Sequence, residues 1–145
     1  MPSFGRASRK KLATAHPLQQ QLWNEVIKVF DCTILEGHRN KACQNRLFTM
    51  KPQRSRCKWP DSKHNTIPSI AIDAAPYYTE KPHVRWNKES LPRWYYFAGV
   101  VMGIANRLEI PIRWGGDWDM DTYVKDQKFK DLPHFELTGN FSDKI

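Results

Sequence analysis

From His16 to Phe30 the apolar residues Leu18, Leu22, Trp23, Val26, Ile27 and Phe30 recur at steps of three and four, which predicts an amphipathic helix with one buried stripe. Pro17 suits its first turn. Cys32 to Leu35 is short and partly β-branched, and Gly37 then permits a turn, so a strand is predicted whose end delivers His38 and Arg39. A short helix is expected over Lys41–Met50. Lys51 to Ser69 carries Pro52, Pro60 and Pro68 among Arg, Lys and Ser and reads as a long exposed loop, of the kind that in a small domain is usually functional or mobile. Ser69 to Ala75 alternates small and apolar residues up to Pro76, a strand with Asp73 near its far end.

Ser90 is placed to cap a third main helix with Pro92 in its first turn, the apolar-rich part running from Trp94 to Leu108 and ending before Pro111. Ile112–Trp114 and His134–Leu137 read as strands around a Gly115-Gly116-Asp117-Trp118 turn; the pattern is weak over 78–89 and 119–130. There are no internal repeats. The sum is an α+β fold, a small, mostly antiparallel sheet packed with helices.

Composition narrows the class. The 145 residues fit one domain, with 40 % hydrophobic residues and six Trp to build a core, and leave no room for a separate wall-binding domain. No apolar run approaches the roughly 20 residues of a membrane span, and the basic start Met1–Lys11 leads into Leu-Ala-Thr-Ala-His-Pro rather than an apolar signal core. Synthesis in the cytoplasm without stable membrane association is expected. Cys32, Cys43 and Cys57 are odd in number and lack C-x-x-C spacing, so they read as reduced thiols. The net charge of +8 would attract nucleic acid, an anionic membrane or a phosphate-rich wall without choosing among them.

The candidate chemistry lies in three segments. A catalytic zinc site takes three ligands from His, Asp or Glu and keeps one position for water. His64, Asp73 nine residues later, and His134 a further sixty-one on would supply them. Asp131, three residues before His134, is placed to take a proton from the metal-activated water and return it to a leaving amine.

These residues stand in an ordered series: Phe4-Gly-Arg-Ala-Ser, Leu12-Ala-Thr-Ala-His-Pro17, Gly37-His-Arg39, Gln44, Ser62-Lys-His-Asn65, Pro68-Ser-Ile-Ala-Ile-Asp73-Ala-Ala-Pro76, Trp114-Gly-Gly-Asp-Trp118 and His134-Phe-Glu-Leu137. The series resembles the zinc peptidases of the D-alanyl-D-alanine carboxypeptidase and L-alanyl-D-glutamate endopeptidase type, phage endolysins above all, over nearly the whole chain. The resemblance implies the family's hedgehog/DD-peptidase-like α+β fold, one Zn2+ held by His64, Asp73 and His134, Asp131 as catalytic acid/base, and Arg39 steadying the scissile carbonyl. It further implies Ser62 and Gln44 as polar contacts to substrate. The step from His64 to Asp73 is two residues longer than in the family's shorter pattern, and Pro68-Ser69 stand near the expected Gly, as in a longer-loop variant.

The remaining candidates have plainer readings. His16, His38 and His83 are read as bystanders rather than ligands, His16 because it precedes a helix-starting proline. Asp117, Asp119 and Asp121 imitate the opening of a calcium loop, yet position six is Thr122 rather than Gly and position twelve Lys128 rather than Glu, so an EF-hand is rejected. Trp114 and Trp118 are more readily core than cleft residues. The basic stretch Lys51–Lys63 is read as a solvated loop that draws the protein to an anionic wall rather than to nucleic acid. The sequence therefore predicts a monomeric endolysin that hydrolyses the L-alanyl-D-glutamate bond of peptidoglycan once another protein has permeabilised the host membrane. The alternatives are a D-alanyl-D-alanine carboxypeptidase with the same zinc site and a non-catalytic wall-binding module.

Overall fold

A computed structural model describes residues 2–139. Their elements run α1 (Arg6–Leu12), α2 (Pro17–Val29), β1 (Cys32–Glu36), α3 (Lys41–Thr49), β2 (Ala71–Pro76), a 3-10 turn (Lys88–Ser90), α4 (Leu91–Arg107), β3 (Ile112–Gly115) and β4 (Asp131–Leu137). The four strands form one antiparallel sheet in the order β1-β2-β4-β3. This is the predicted α+β class.

The sheet's two faces differ because side chains alternate along a strand. Ile34, Ile72, Phe135, Leu137, Ile112 and Trp114 turn to one core, where Leu22, Trp23 and Val26 of α2 and Phe97, Ala98 and Val101 of α4 meet them. Trp23 packs edge-on against Phe135, with ring centroids 5.1 Å apart. One polar residue sits within this layer: Gln19 is fully buried, donates through Nε2 to the carbonyls of Ile70 and Phe135, and accepts from Trp23 Nε1. Its amide therefore ties α2 to β4 and to the residue just before β2 without an unpaired polar atom.

On the other face the register gathers charge. Asp73 is opposite His134, Glu136 is opposite Arg113, and a bulge in β1 after Ile34 brings Glu36 opposite Asp73. Across four strands the order is Glu36, Asp73, the His134 and Glu136 pair, and Arg113. A row of ionisable groups on a sheet face has to be covered, paired or used.

Several boundaries differ from the sequence reading. Helix α1 is not announced by periodicity, since Arg6–Leu12 has one large apolar residue; it is held by the buried Ser8, whose Oγ meets Thr33 Oγ1 and accepts from Ile34 N. Helix α4 begins three residues before Trp94, with Pro92 in its first turn. Ser90 does not cap it: its backbone is helical and its hydroxyl donates to the carbonyls of Arg85 and Asn87. Strand β2 begins two residues after Ser69 and includes Pro76, and β4 begins at Asp131 rather than His134. The three cysteines are free, and burial with the nearby Asp31 charge pushes the Cys32 thiol up, which keeps it inert.

Candidate functional site

His64 Nε2 lies 3.1 Å from Asp73 Oδ1, and His134 Nδ1 lies 3.2 Å from the same oxygen. The three donor atoms sit within 4.8 Å of one another. Asp73 and His134 are cross-strand partners on β2 and β4. His64 arrives from the end of the long loop, which Arg39 N fastens to β1's exit by donating to the His64 carbonyl at 2.8 Å. Both imidazoles are buried and Asp73 is partly exposed, so the group opens on one side only.

The far ring nitrogens fix the tautomers. His64 Nδ1 is 2.8 Å from the Gly37 carbonyl, which can only accept, so this nitrogen carries the proton. His134 Nε2 is 2.8 Å from Glu136 Oε1, and that carboxyl is ionised: burial alone would raise it, but hydrogen bonds from His134 and Arg113 bring it down to about 2. With those protons placed outward, two imidazole lone pairs and one carboxylate oxygen face each other. That arrangement repels itself unless a cation stands between them.

In the protein alone a proton takes that place. Burial disfavours a charged His134, but the hydrogen bonds to Asp73 and Glu136 outweigh it and push its pKa up to about 10. Burial would likewise raise Asp73, and the two imidazoles beside it, His64 and His134, hold it well below the usual carboxylate range. A metal ion fits the same donors. Ligands about 2.0–2.1 Å from a tetrahedral ion are separated from each other by about 3.3 Å, close to the two donor distances seen here. Gly37 and Glu136 are then the outer partners that a metal-binding histidine takes on its second nitrogen. In the sequence Glu136 stands only as part of the His134-Phe-Glu-Leu137 series; its spacing of two from His134 on a strand is the signal for its role, because it puts both on one face.

Arg39 reaches the site's β1 flank. Its Nη2 is 3.8 Å from Asp73 Oδ2, its Nε is 3.4 Å from Glu36 Oε2, and its Nη1 donates to Gln44 Oε1 at 2.8 Å. Gln44 is fully buried: Oε1 also accepts from Asn65 Nδ2, while Nε2 donates to Ser55 Oγ and the Cys57 carbonyl. Read as a substrate contact in the sequence, its amide is instead taken up in holding Arg39 and the 55–57 loop. Asn65, unassigned by sequence reasoning, ties the same knot by donating to the Arg39 carbonyl and accepting from Ser62 N. Ser62 lines the cleft, and its Oγ accepts from His64 N.

Asp131 begins β4 opposite Gly115 and lines the cleft. Burial and the Asp73 carboxylate raise its pKa, against the opposing charges of His134, His64 and Arg39. Around these groups lies an open cleft of about 1090 Å³. Residues of the basic loop line it, as do Trp118, Phe129 and Lys130. The Trp118 ring is 5.6 Å from that of His134 and stacks on Phe129, over which Arg56 lays its guanidinium at 3.9 Å. Trp118 is thus a cleft residue, whereas Trp114 is core, as the commoner reading had it.

The other histidines and acids lie apart from the triad. His16 caps α2, its Nδ1 accepting from Leu18 N; His38 Nδ1 meets the Thr66 carbonyl; His83 stacks on Tyr77. Asp117, Asp119 and Asp121 also gather within 4.8 Å, on a loop where Asp119 and Asp121 are exposed and Asp117 Oδ2 accepts from Thr122 N.

Comparison with known proteins agrees with this architecture. The Serratia marcescens L-Ala D-Glu endopeptidase ChiX has a crystal structure that matches with a TM-score of 0.69 and 23 % sequence identity, over 94 % of this chain and 91 % of that one. At that identity the likeness speaks for the fold. The model of the family described as phage L-alanyl-D-glutamate peptidase matches residues 2–138, a span that takes in every element above and the whole His64, Asp73, His134 group. The chain belongs to the phage L-alanyl-D-glutamate peptidase family.

Proposed function

We propose that this protein is a zinc-dependent endolysin that hydrolyses the L-alanyl-D-glutamate bond of the peptidoglycan stem peptide. The observation that carries the reading is the convergence of two outward-protonated imidazoles and a carboxylate on one point at the floor of an open cleft. A zinc ion bound there would polarise the scissile carbonyl and lower the pKa of a bound water to about 7.

The chain's own residues do the rest. Asp131 accepts the water's proton as the water attacks, and its raised pKa suits a group that must then give the proton back to the leaving amine. Arg39, fixed by Gln44 and Glu36 before substrate arrives, presents positive charge where the carbonyl oxygen becomes an oxyanion; such preorganised donors are typically worth about 10²- to 10³-fold in rate. Gln44 acts through Arg39 and Ser62 through the His64 loop. Trp118 and Phe129 screen the site from bulk water on one side.

The wall is reached from the cytoplasm after another protein permeabilises the membrane; no helix among the described residues is long and apolar enough to cross one. The protein acts as a monomer. The test is metal replacement: chelation should abolish cleavage of purified peptidoglycan and one equivalent of zinc should restore it. Full activity in the chelated, metal-free protein would overturn the reading. Producer cells should survive expression of the protein alone, while cells with permeabilised membranes should lyse.

A further inference from the structure

The proposed mechanism gives no role to Arg113, which lines the cleft from the sheet. Arg113, on β3, donates from Nη2 to Glu136 Oε2 at 2.8 Å, and Glu136 in turn holds His134. If that were its whole role, the guanidinium would be covered. Instead the side chain is 36 % exposed against 5 % for Glu136, and it lines the cleft. Its Nε is buried with no hydrogen-bond partner among the described residues. A guanidinium has five N–H donors in a planar fork matched to carboxylates; Glu136 engages one edge of it, and the Trp118 ring lies 5.9 Å from its centre.

Of the other cations lining the cleft, Arg54 and Lys63 stand on the exposed loop, and Arg39, Arg56 and Lys130 have partners elsewhere. Arg39 is 9 % exposed and shared among Glu36, Gln44 and Asp73. Arg56 lies on the Phe129 ring, and Lys130 Nζ is 3.4 Å from the Tyr95 hydroxyl. Sheet order sets Arg39 and Arg113 on opposite flanks of the triad, Arg39 at the β1 side and Arg113 on the β3 edge. Asp131 pairs with Gly115 of that same β3 strand.

Substrate chemistry is equally one-sided. On the L-alanine side the stem peptide joins the glycan through an amide and offers no free carboxylate. D-glutamate continues through its side-chain carboxyl, which leaves its α-carboxylate free, two bonds from the scissile nitrogen. The proton for that nitrogen comes from Asp131, so the leaving half lies toward β3. We infer that Arg113 is a specificity-determining residue that binds a carboxylate on the D-glutamate half of the substrate. This rests on the peptidase reading above. The carboxylate is either the D-glutamate α-carboxylate or one on the third stem residue.

The test measures relative kcat/KM by competition among three synthetic stem peptides: one with L-lysine in third place, its twin with the D-glutamate α-carboxylate converted to the amide, and one with meso-diaminopimelate in place of lysine. The wild type should prefer the free acid to the amide by about tenfold or more, and Arg113→Gln should bring that ratio to within about twofold of one, with Arg113→Lys between them. If Arg113→Gln instead removes a preference for diaminopimelate over lysine, the anchored carboxylate is that of the third residue and the inference stands. Ratios unchanged in Arg113→Gln overturn it. So does an equal loss on all three peptides with a fall in bound metal, because that is what a purely structural Arg113–Glu136 link would give. A wild type that cuts none of the three overturns the peptidase reading, and the inference falls with it.

Discussion

Glu136 and the Gly37 carbonyl do the same work for the two histidines, each accepting a hydrogen bond from the outward ring N–H so that the inward nitrogen is free for a ligand. They are separable from Asp131, which lines the cleft from the start of β4. Glu136→Gln keeps the shape but weakens the hold on the His134 proton, and should lower metal affinity by about 10- to 100-fold, read by competition with a chelator of known affinity. Asp131→Asn should leave metal affinity within a few-fold and cut turnover by about 10²- to 10⁴-fold. A variant of Asp131 that loses metal and activity together would remove it from proton transfer.

Two close backbone approaches hold the elements that carry these residues. A Cβ at Gly115 would run into the Asp131 carbonyl, and one at Gly37 into the Lys11 carbonyl and the Thr14 hydroxyl. The first sets β3 against the start of β4, the second seats the α1–α2 connection under the turn whose carbonyl orients His64. Gly115→Ala should therefore destabilise the fold by about 1–3 kcal/mol and impair activity beyond that loss, read by denaturant midpoint and turnover together. Unchanged stability and turnover would show that the two strands can separate without consequence.

At the scale of elements, the sequence disclosed what is periodic or chemically marked. Helix α2 is legible because Leu22, Trp23, Val26 and Ile27 recur on one side, and β2 and β4 because the apolar alternation brackets Asp73 and His134. What it hid depends on distant partners. Helix α1 is stabilised by Ser8 against β1 rather than by an apolar stripe. Gln44 looks like a surface polar residue until the 55–57 loop and Arg39 close over it. The role of Trp118 depends on the loop carrying Phe129, where no pattern of alternation exists.

The whole molecule couples its stability to protons where the ion would be. For the metal-free protein, Glu136 falls from about 4.5 to about 2 on folding, so it stabilises above pH 4.5 and that contribution is lost as pH drops toward 2. His134 rises from 6.5 to about 10, so its contribution is complete below pH 6.5 and is lost as pH climbs toward 10. The chelated protein should accordingly be most stable between pH 4.5 and 6.5, with its denaturant midpoint lower at both pH 3 and pH 9. A metal held by His134 would replace its proton, so under the proposed reading added zinc should raise the midpoint more at pH 8 than at pH 5.5. An effect of zinc that is independent of pH would contradict a ligand role for this imidazole.

The net charge of +8, with residues of the basic loop lining the cleft, gives a field that attracts anionic polymers. Catalysis must still choose one bond, and the most direct test is mass spectrometry of purified peptidoglycan after digestion, with zinc, with chelator, and with Asp131→Asn. The account predicts new termini at L-alanine and D-glutamate that need zinc and vanish in the variant. Release of terminal D-alanine alone, or identical fragments from the chelated protein, would contradict it.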